Sequence, residues 1–248
     1  MYTSFQADKQ HHPADVMVCA IARMLKNGER IFHGVSSQLP MVAMKLSKAL
    51  YAPEAVLLNI PGGVNPNSYR TSEYSSAGEE LWENSDANFP LEKIFDLSMR
   101  GGLDVAFLSG VQFDVKGNVN ASVIGDYKKP KVRLPGGAGS AVLIPTAKKA
   151  IIWRTKHDPR TFVENVDFIT TRGNLYKIVT PLCIFGYSNE RLYLEAISPY
   201  TTIEEVKAKT GFKIMENNVP TIEEPTKEEL SALRRIDPKG VRYKEFSM

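Results

Sequence analysis

The chain has 248 residues, 43% of them hydrophobic and 24% charged, with a formal net charge of +3. That is the composition of a globular protein with a substantial core. So small a positive excess, with no basic block interleaved with aromatics, argues against a nucleic-acid surface. The two cysteines, Cys19 and Cys183, lie far apart with no metal or redox spacing, so buried thiols are expected and no metal site. The polar start from Met1 to His12 carries no signal-type apolar region, and no run approaches the roughly 18 apolar residues that span a bilayer. A cytoplasmic chain without membrane contact is the expectation.

In chain order, Pro13 to Lys26 reads as a helix, with Val18, Ala22 and Leu25 on one face, Pro13 at its start and Asn27-Gly28 as its stop. Ile31 to His33 reads as a short strand into a loop at Gly34. A second helix runs from Pro40 to Leu50, and a buried strand from Val56 to Leu58. This strand–loop–helix–strand rhythm predicts a parallel sheet covered by helices. Asn65 to Pro90 is polar and rich in turn residues, as an active-site flap or a partner-facing loop would be. Leu91 to Arg100 is predicted as a helix stopped by Gly101-Gly102, and Val105 to Leu108 as the next strand.

Further strands are expected at Ala141–Ile144 and Ala150–Trp153, and a late antiparallel pair at Thr180–Phe185 and Leu192–Ile197. Ser/Thr-x-x-Glu capping boxes start helices at Thr202 with Glu205 and at Thr226 with Glu229. Residues 1–248 form one expected domain, with a core over about 13–200 and a helical extension over 201–248. Its fold class is α/β, a doubly wound and mostly parallel sheet.

Glycine and asparagine cluster just beyond the strand Val105–Leu108, where open α/β sheets bind ligands and where N–H groups can face them. The turn Pro135-Gly136-Gly137-Ala138-Gly139-Ser140 is the densest example. Gly136, Gly137 and Gly139 are candidates to present N–H groups to a ligand, and Gln112 and Asn120 to contact it; Asn118, beside Gly117, suits a turn. A strand at Ala141–Ile144 would exclude a dinucleotide fingerprint, which needs a helix there. His157-Asp158 beside Arg160 reads as a charged, solvated or interface segment, His11-His12 as a frayed end, and His33 has no second metal ligand near it.

The order of these strings resembles the β subunit of the family I coenzyme A-transferases, in particular the glutaconate CoA-transferase type. The likeness runs through Gly34-Val35-Ser36-Ser37-Gln38-Leu39-Pro40, Tyr51-Ala52-Pro53, Val111 to Asp114, Asn118 to Asn120 and Ile124-Gly125-Asp126. It continues through Arg133 to Gly137, Phe162 to Glu164, Val166 to Thr170, Thr210-Gly211-Phe212 and Ile236-Asp237-Pro238. The resemblance implies the fold shared by CoA-transferases and sugar-phosphate isomerases. It also implies an active site built with an α-like subunit, in an α2β2 heterotetramer. Coenzyme A thioesters would be substrates, and no cofactor would be permanently bound.

In that family a β-subunit glutamate after the second strand carries CoA as a thioester. Here the strand leads into Asn59-Ile60-Pro61-Gly62-Gly63, so Ile60 or Asn59 stands at the nucleophile position, and neither is a carboxylate nucleophile. Gly62 and Gly63 keep the loop's shape and are candidates for the binding pocket. The closeness of the remaining motifs makes transfer of CoA between carboxylic acids the first reading of the resemblance, although the missing glutamate favours the second. Hydrolytic ring opening of a CoA ester, with the catalytic carboxylate on the α chain, is the second. A non-catalytic acyl-CoA-binding partner is the third.

Overall fold

The computed structural model describes residues 11–66, 76–83 and 85–246. Tyr69 and Tyr74, in the segment expected as a flap or partner loop, lie outside the described residues. The first helix, α1 (Pro13–Met24), starts as foreseen with Pro13 in its first turn. His12 is not frayed: its Nδ1 accepts from the Ala14 N–H at 3.0 Å, and its ring packs edge-on against Tyr243 and Phe246. Strand β1 (Arg30–His33), helix α2 (Gln38–Leu50) and strand β2 (Val56–Asn59) follow. A short hairpin of β3 (Gly63–Val64) and β4 (Ala87–Asn88), helix α3 (Glu92–Met99) and strand β5 (Val105–Leu108) come next.

Two small hairpins, β6 (Gln112–Phe113) with β7 (Val119–Asn120) and β8 (Val123–Gly125) with β9 (Pro130–Arg133), precede helix α4 (Ser140–Thr146). Strands β10 (Lys149–Trp153), β11 (Leu175–Val179), β12 (Cys183–Ser188) and β13 (Arg191–Ile197) complete the sheet, before α5 (Ile203–Ala208) and α6 (Lys227–Ile236).

The main sheet has the order β13-β12-β11-β10-β5-β1-β2-β3-β4. Its centre, β11-β10-β5-β1-β2, is parallel, and antiparallel strands flank both sides. The chain places β2 on one side of β1 and then β5 on the other. The direction of strand addition therefore reverses at β1, and a crevice opens at the carboxyl ends of β1 and β5.

Alternation along each strand sorts the core into two layers. Ile31, Leu57, Val105, Phe107 and Ile151 pack with α1, α2 and Leu233 of α6; Phe32, Leu58, Ala106, Leu108 and Ile152 pack with Ile94 of α3 and Leu143 of α4. Leu233 of α6 is wholly inside this chain's own core.

Two local expectations are corrected, and one strand was not foreseen. Ala141–Ile144 is not a strand but most of α4. A short apolar run fits either period, and the sheet positions beside β5 are already filled by β1 and β10. Strand β11 is hidden in the sequence by Lys177, a charge in an apolar run. Its ammonium is buried against the Glu195 carboxylate of β13. Of the two capping boxes, Thr226–Glu229 is complete, whereas Thr202 only accepts from the Glu205 N–H; the Glu205 carboxylate turns instead to Thr201 and Lys209.

The chain after α6 returns to the sheet. Arg242 is clamped between Asp15 at 2.6 Å and Asp237 at 2.8 Å. This buried ion cluster directs the last described turn, Val241–Phe246, back towards the carboxyl ends of the parallel strands. No helix among the described residues is long and apolar enough to cross a membrane.

Candidate active site

A cleft of about 580 Å³ occupies the crevice that the topology creates. Loops after four parallel strands line it: Gly34–Ser37 after β1, Ile60 after β2, Ser109 after β5, and Arg154 and Thr155 after β10. The glycine turn 135–140 forms a further wall, and Leu91, Phe95 and Leu143 supply apolar surface. A largely apolar cavity with a few polar groups, of this size, suits a small-molecule ligand.

The two candidates for the nucleophile position have different places. Asn59 is buried and faces inward. Its Oδ1 accepts from the N–H groups of Gly62 and Gly63 at 3.1 and 3.0 Å, and its amide donates to the Leu81 carbonyl at 2.9 Å. It holds the loop's shape, and Ile60 is the residue that the loop presents to the cleft. Gly62 and Gly63 stand behind that surface. Gly62 has φ +96°, and a Cβ there would lie 2.0 Å from the Phe89 carbonyl oxygen; one on Gly63 would lie 2.0 Å from that of Leu81. Their lack of side chains is accounted for by this close backbone approach.

The glycine turn differs. The Gly136 N–H donates to the Ala121 carbonyl at 2.8 Å, which anchors the turn. The N–H groups of the next three residues, Gly137, Ala138 and Gly139, enter no backbone hydrogen bond among the described residues. Ala138 has φ +41° and Gly139 φ −64°, a left-handed residue followed by a right-handed one, the pairing that turns successive N–H groups towards one side. All three residues line the cleft. The turn leads directly into α4, so the strand expected to exclude a phosphate-type helix start is absent, although α4 is only seven residues long.

Gln112 and Asn120 do not line the cleft. Asn120 is fully buried and donates to the Gln112 carbonyl oxygen at 2.7 Å, while its own oxygen accepts from the Ser122 and Val123 N–H groups. Gln112 in turn donates to Asp167, which also accepts from the Gly125 N–H at 2.8 Å. The expectation of direct ligand contact gives way to a brace. These residues fix Ala121, whose carbonyl holds Gly136. Asn118 has the turn role expected of it, donating to Asp114 at 2.9 Å.

His157, expected in a solvated segment, is instead buried. Its ring stacks on Phe162 and lies between the Thr180 and Thr210 hydroxyls at 2.9 and 3.0 Å. Burial holds its imidazole neutral, with a pKa of about 3. No cluster of three His, Cys, Asp or Glu suited to a metal occurs among the described residues.

Two charged residues of the cleft are not among those singled out by the sequence. Arg154 follows β10, and Glu245 arrives from the far end of the chain. The Glu245 carboxylate accepts from the Leu39 N–H at 2.9 Å and from the Trp153 indole at 2.7 Å, and burial raises its pKa. A charge directly after a buried strand is a usable signal for Arg154. Nothing local marks Glu245, which lies 92 positions from Trp153.

This crevice, with its loop walls and backbone donors, defines a class of α/β enzyme chains whose ligand sits at the strand carboxyl ends. Residues 15–209 match the coenzyme A transferase family model, and the chain belongs to that family. It is 36% identical to the B subunit of the 3-oxoadipate CoA-transferase of Pseudomonas knackmussii, over 90% of this chain and 92% of that protein. It is 27% identical to the B subunit of the glutaconate CoA-transferase of Acidaminococcus fermentans, again over 90% and 92%. The crystal structure of the decarboxylase AibA/AibB superposes with a TM-score of 0.87 at 26% identity, covering 93% of this chain and 97% of that one. The family resemblance and fold class expected from the sequence are borne out.

Proposed function

We propose that this chain is the β-type subunit of a cytoplasmic CoA-transferase that acts with an α-type partner in an α2β2 assembly, moving CoA between carboxylic acids. The observation that carries the reading is the row of unengaged N–H groups at Gly137, Ala138 and Gly139 on the cleft wall, in a member of this family. Such donors stabilise the oxyanion that develops when a thioester carbonyl is attacked. Both transferase relatives are B subunits of their enzymes, which supports a separate partner chain.

Ile60 lines the cleft, and the resemblance sets the transferase glutamate at Ile60 or Asn59; on this reading the attacking carboxylate comes from the partner or from the acceptor acid. The same observation, together with the likeness to a decarboxylase, favours as a second reading the cleavage of a carbon–carbon bond in a CoA ester, with the catalytic carboxylate on the partner.

The pair, co-expressed and purified, is incubated with an acyl-CoA and an acceptor acid, trapped with borohydride and mapped by mass spectrometry. CoA transfer to the acceptor, with no modification on the Val56–Gly63 peptide, is expected. Carbon–carbon bond cleavage that needs no acceptor and leaves the CoA thioester intact selects the second reading. A trapped adduct on that peptide would show that this loop carries the nucleophile after all.

A further inference from the structure

Glu245 is the carboxylate of the cleft lining among the described residues, and it is held at three points. Its Oε1 accepts from the Leu39 N–H at 2.9 Å, its Oε2 from the Trp153 indole at 2.7 Å, and its backbone carbonyl from the Thr155 hydroxyl at 3.0 Å. An ionised carboxylate has about four acceptor sites, more than these donors fill, so it keeps the capacity to take a proton. Burial makes it a stronger base than an exposed glutamate, although its donors and the charge of Arg154 oppose that shift.

Glu245 and the glycine turn stand on opposite faces of the sheet. Leu39 and Trp153, which hold Glu245, pack in the core layer of α1 and α2; Leu143 and Phe95, beside Gly139, pack in the layer of α3 and α4. The cleft over the carboxyl ends of β1, β5 and β10 lies between them. A thioester whose oxygen meets the N–H groups of Gly137, Ala138 and Gly139 therefore has a fixed carboxylate on the other wall of its cleft. Donors for a developing oxyanion on one side and a base on the other are the two parts that formation of an enolate requires.

We propose that Glu245 removes a proton from the α carbon of a CoA thioester, giving this cleft an enolising activity besides CoA transfer. The inference rests on the CoA-ester reading above. The α C–H bond breaks and its proton passes to the Glu245 carboxylate. The electron pair left behind forms a double bond to the thioester carbon, and the carbonyl π pair moves onto oxygen, where the N–H row stabilises it. Return of the proton restores the ester, so the reaction consumes no oxidant, reductant or acceptor acid. Transfer of CoA moves no α proton, which makes this a separate reaction of the same cleft.

The test places the co-purified pair in D2O with butyryl-CoA or glutaryl-CoA, without an acceptor acid, and follows deuterium uptake at the α carbon by mass spectrometry. The wild type is expected to label at least one ester, and Glu245→Gln to lower the saturating exchange rate by about 100-fold. Affinity for the ester, measured by calorimetry, should stay within about threefold. Glu245→Asp should exchange at an intermediate rate. Glu245→Ala should regain exchange on addition of formate or acetate, with acetate, the stronger base, giving the faster rate. Thermal melting identifies the folded variants, and if Glu245→Ala does not fold, the split between rate and affinity in Glu245→Gln decides. Unchanged exchange in Glu245→Gln overturns the proposal, as does affinity lost in step with rate, or a folded Glu245→Ala that added carboxylates do not restore. A wild type that binds an ester without labelling it also overturns the proposal and leaves the CoA-ester reading standing. If neither ester binds, that reading fails and the proposal falls with it.

Discussion

The loop after β2 and the turn before α4 are both short, rich in glycine and set at the same edge of the sheet, yet the structure uses them in opposite ways. In the first, the glycine N–H groups are satisfied internally: Asn59 binds those of Gly62 and Gly63, and the space a Cβ would need is filled by the Phe89 and Leu81 carbonyls. In the second, one N–H is anchored to Ala121, the next three are left open, and a Cβ on Gly136 would meet nothing within 4 Å. Glycine in the β2 loop answers to neighbouring backbone; the glycine turn leaves N–H groups without a backbone partner on the cleft wall. Similar composition therefore supports a brace in one place and a donor row in the other.

The sharpest way to break this contrast is Gly62→Ala. The substitution faces both a positive φ and a carbonyl at 2.0 Å, and a loss of about 3 kcal/mol in unfolding free energy is expected. Urea denaturation measures it, and a loss below about 1 kcal/mol would remove the bracing role. Gly137→Val comes next, with a mixed effect. Its Cβ would lie 2.7 Å from that of Ala141 and 3.0 Å from the Thr170 methyl, so about 1–3 kcal/mol of stability should go. About 100-fold in kcat should go with it if the displaced N–H groups serve the thioester. A variant that melts early but turns over normally once folded would leave the glycine a purely packing role.

A third loop, Gly34–Ser37, hangs from His33, whose Nδ1 lies 3.2 Å from the Gly34 carbonyl. Burial lowers the pKa of His33 to about 4 and that of His157 to about 3. The unfolded chain, with histidines near 6.5, then binds more protons than the folded one below that pH. Their stabilisation is complete above pH 6.5 and is lost as pH falls towards 4. Each contributes a slope approaching about 1.4 kcal/mol per pH unit, opposed by Glu245, whose raised pKa acts with the opposite sign. Denaturation at pH 7, 6 and 5 should show stability falling with acid; a flat profile would place both imidazoles in contact with solvent.

The smallest effect is expected at Gly139→Ala, where φ is −64° and the new methyl makes ordinary 3.7 Å contacts with Leu143 and Phe95. Stability should stay within about 0.5 kcal/mol of the wild type, with a modest rise in KM as the cleft narrows. A large loss of stability here would show that the turn is packed as tightly as the β2 loop.

Most of the parallel sheet is legible in the sequence because its strands are short apolar runs bounded by turn residues, and the helices before β2 show a clear apolar face. Leu175 to Val179 is not, because Lys177 breaks the pattern, and only its pairing with Glu195 on β13 makes burial of that charge tolerable. Ala141 to Ile144 suggests a strand and forms a helix because four apolar residues carry no period of their own. Strand order, which no local window contains, leaves them no sheet position.

The amino-acid sequence by itself determined the family, the α/β class, the glycine turn and the absence of a carboxylate nucleophile after β2, since each depends on residue type and order. Tertiary structure alone decided which member of a motif faces the cleft. Ile60 lines the cleft and Asn59 holds the loop because of where the Leu81 and Phe89 backbones lie. Gln112 and Asn120 stand behind the glycine turn because they satisfy each other. Arg154 and Glu245 share a cleft because the Arg242 clamp folds the chain's last turn back onto the sheet. These are contacts between residues distant in the chain, and they follow from packing and the pairing of buried polar groups, which a linear pattern does not encode.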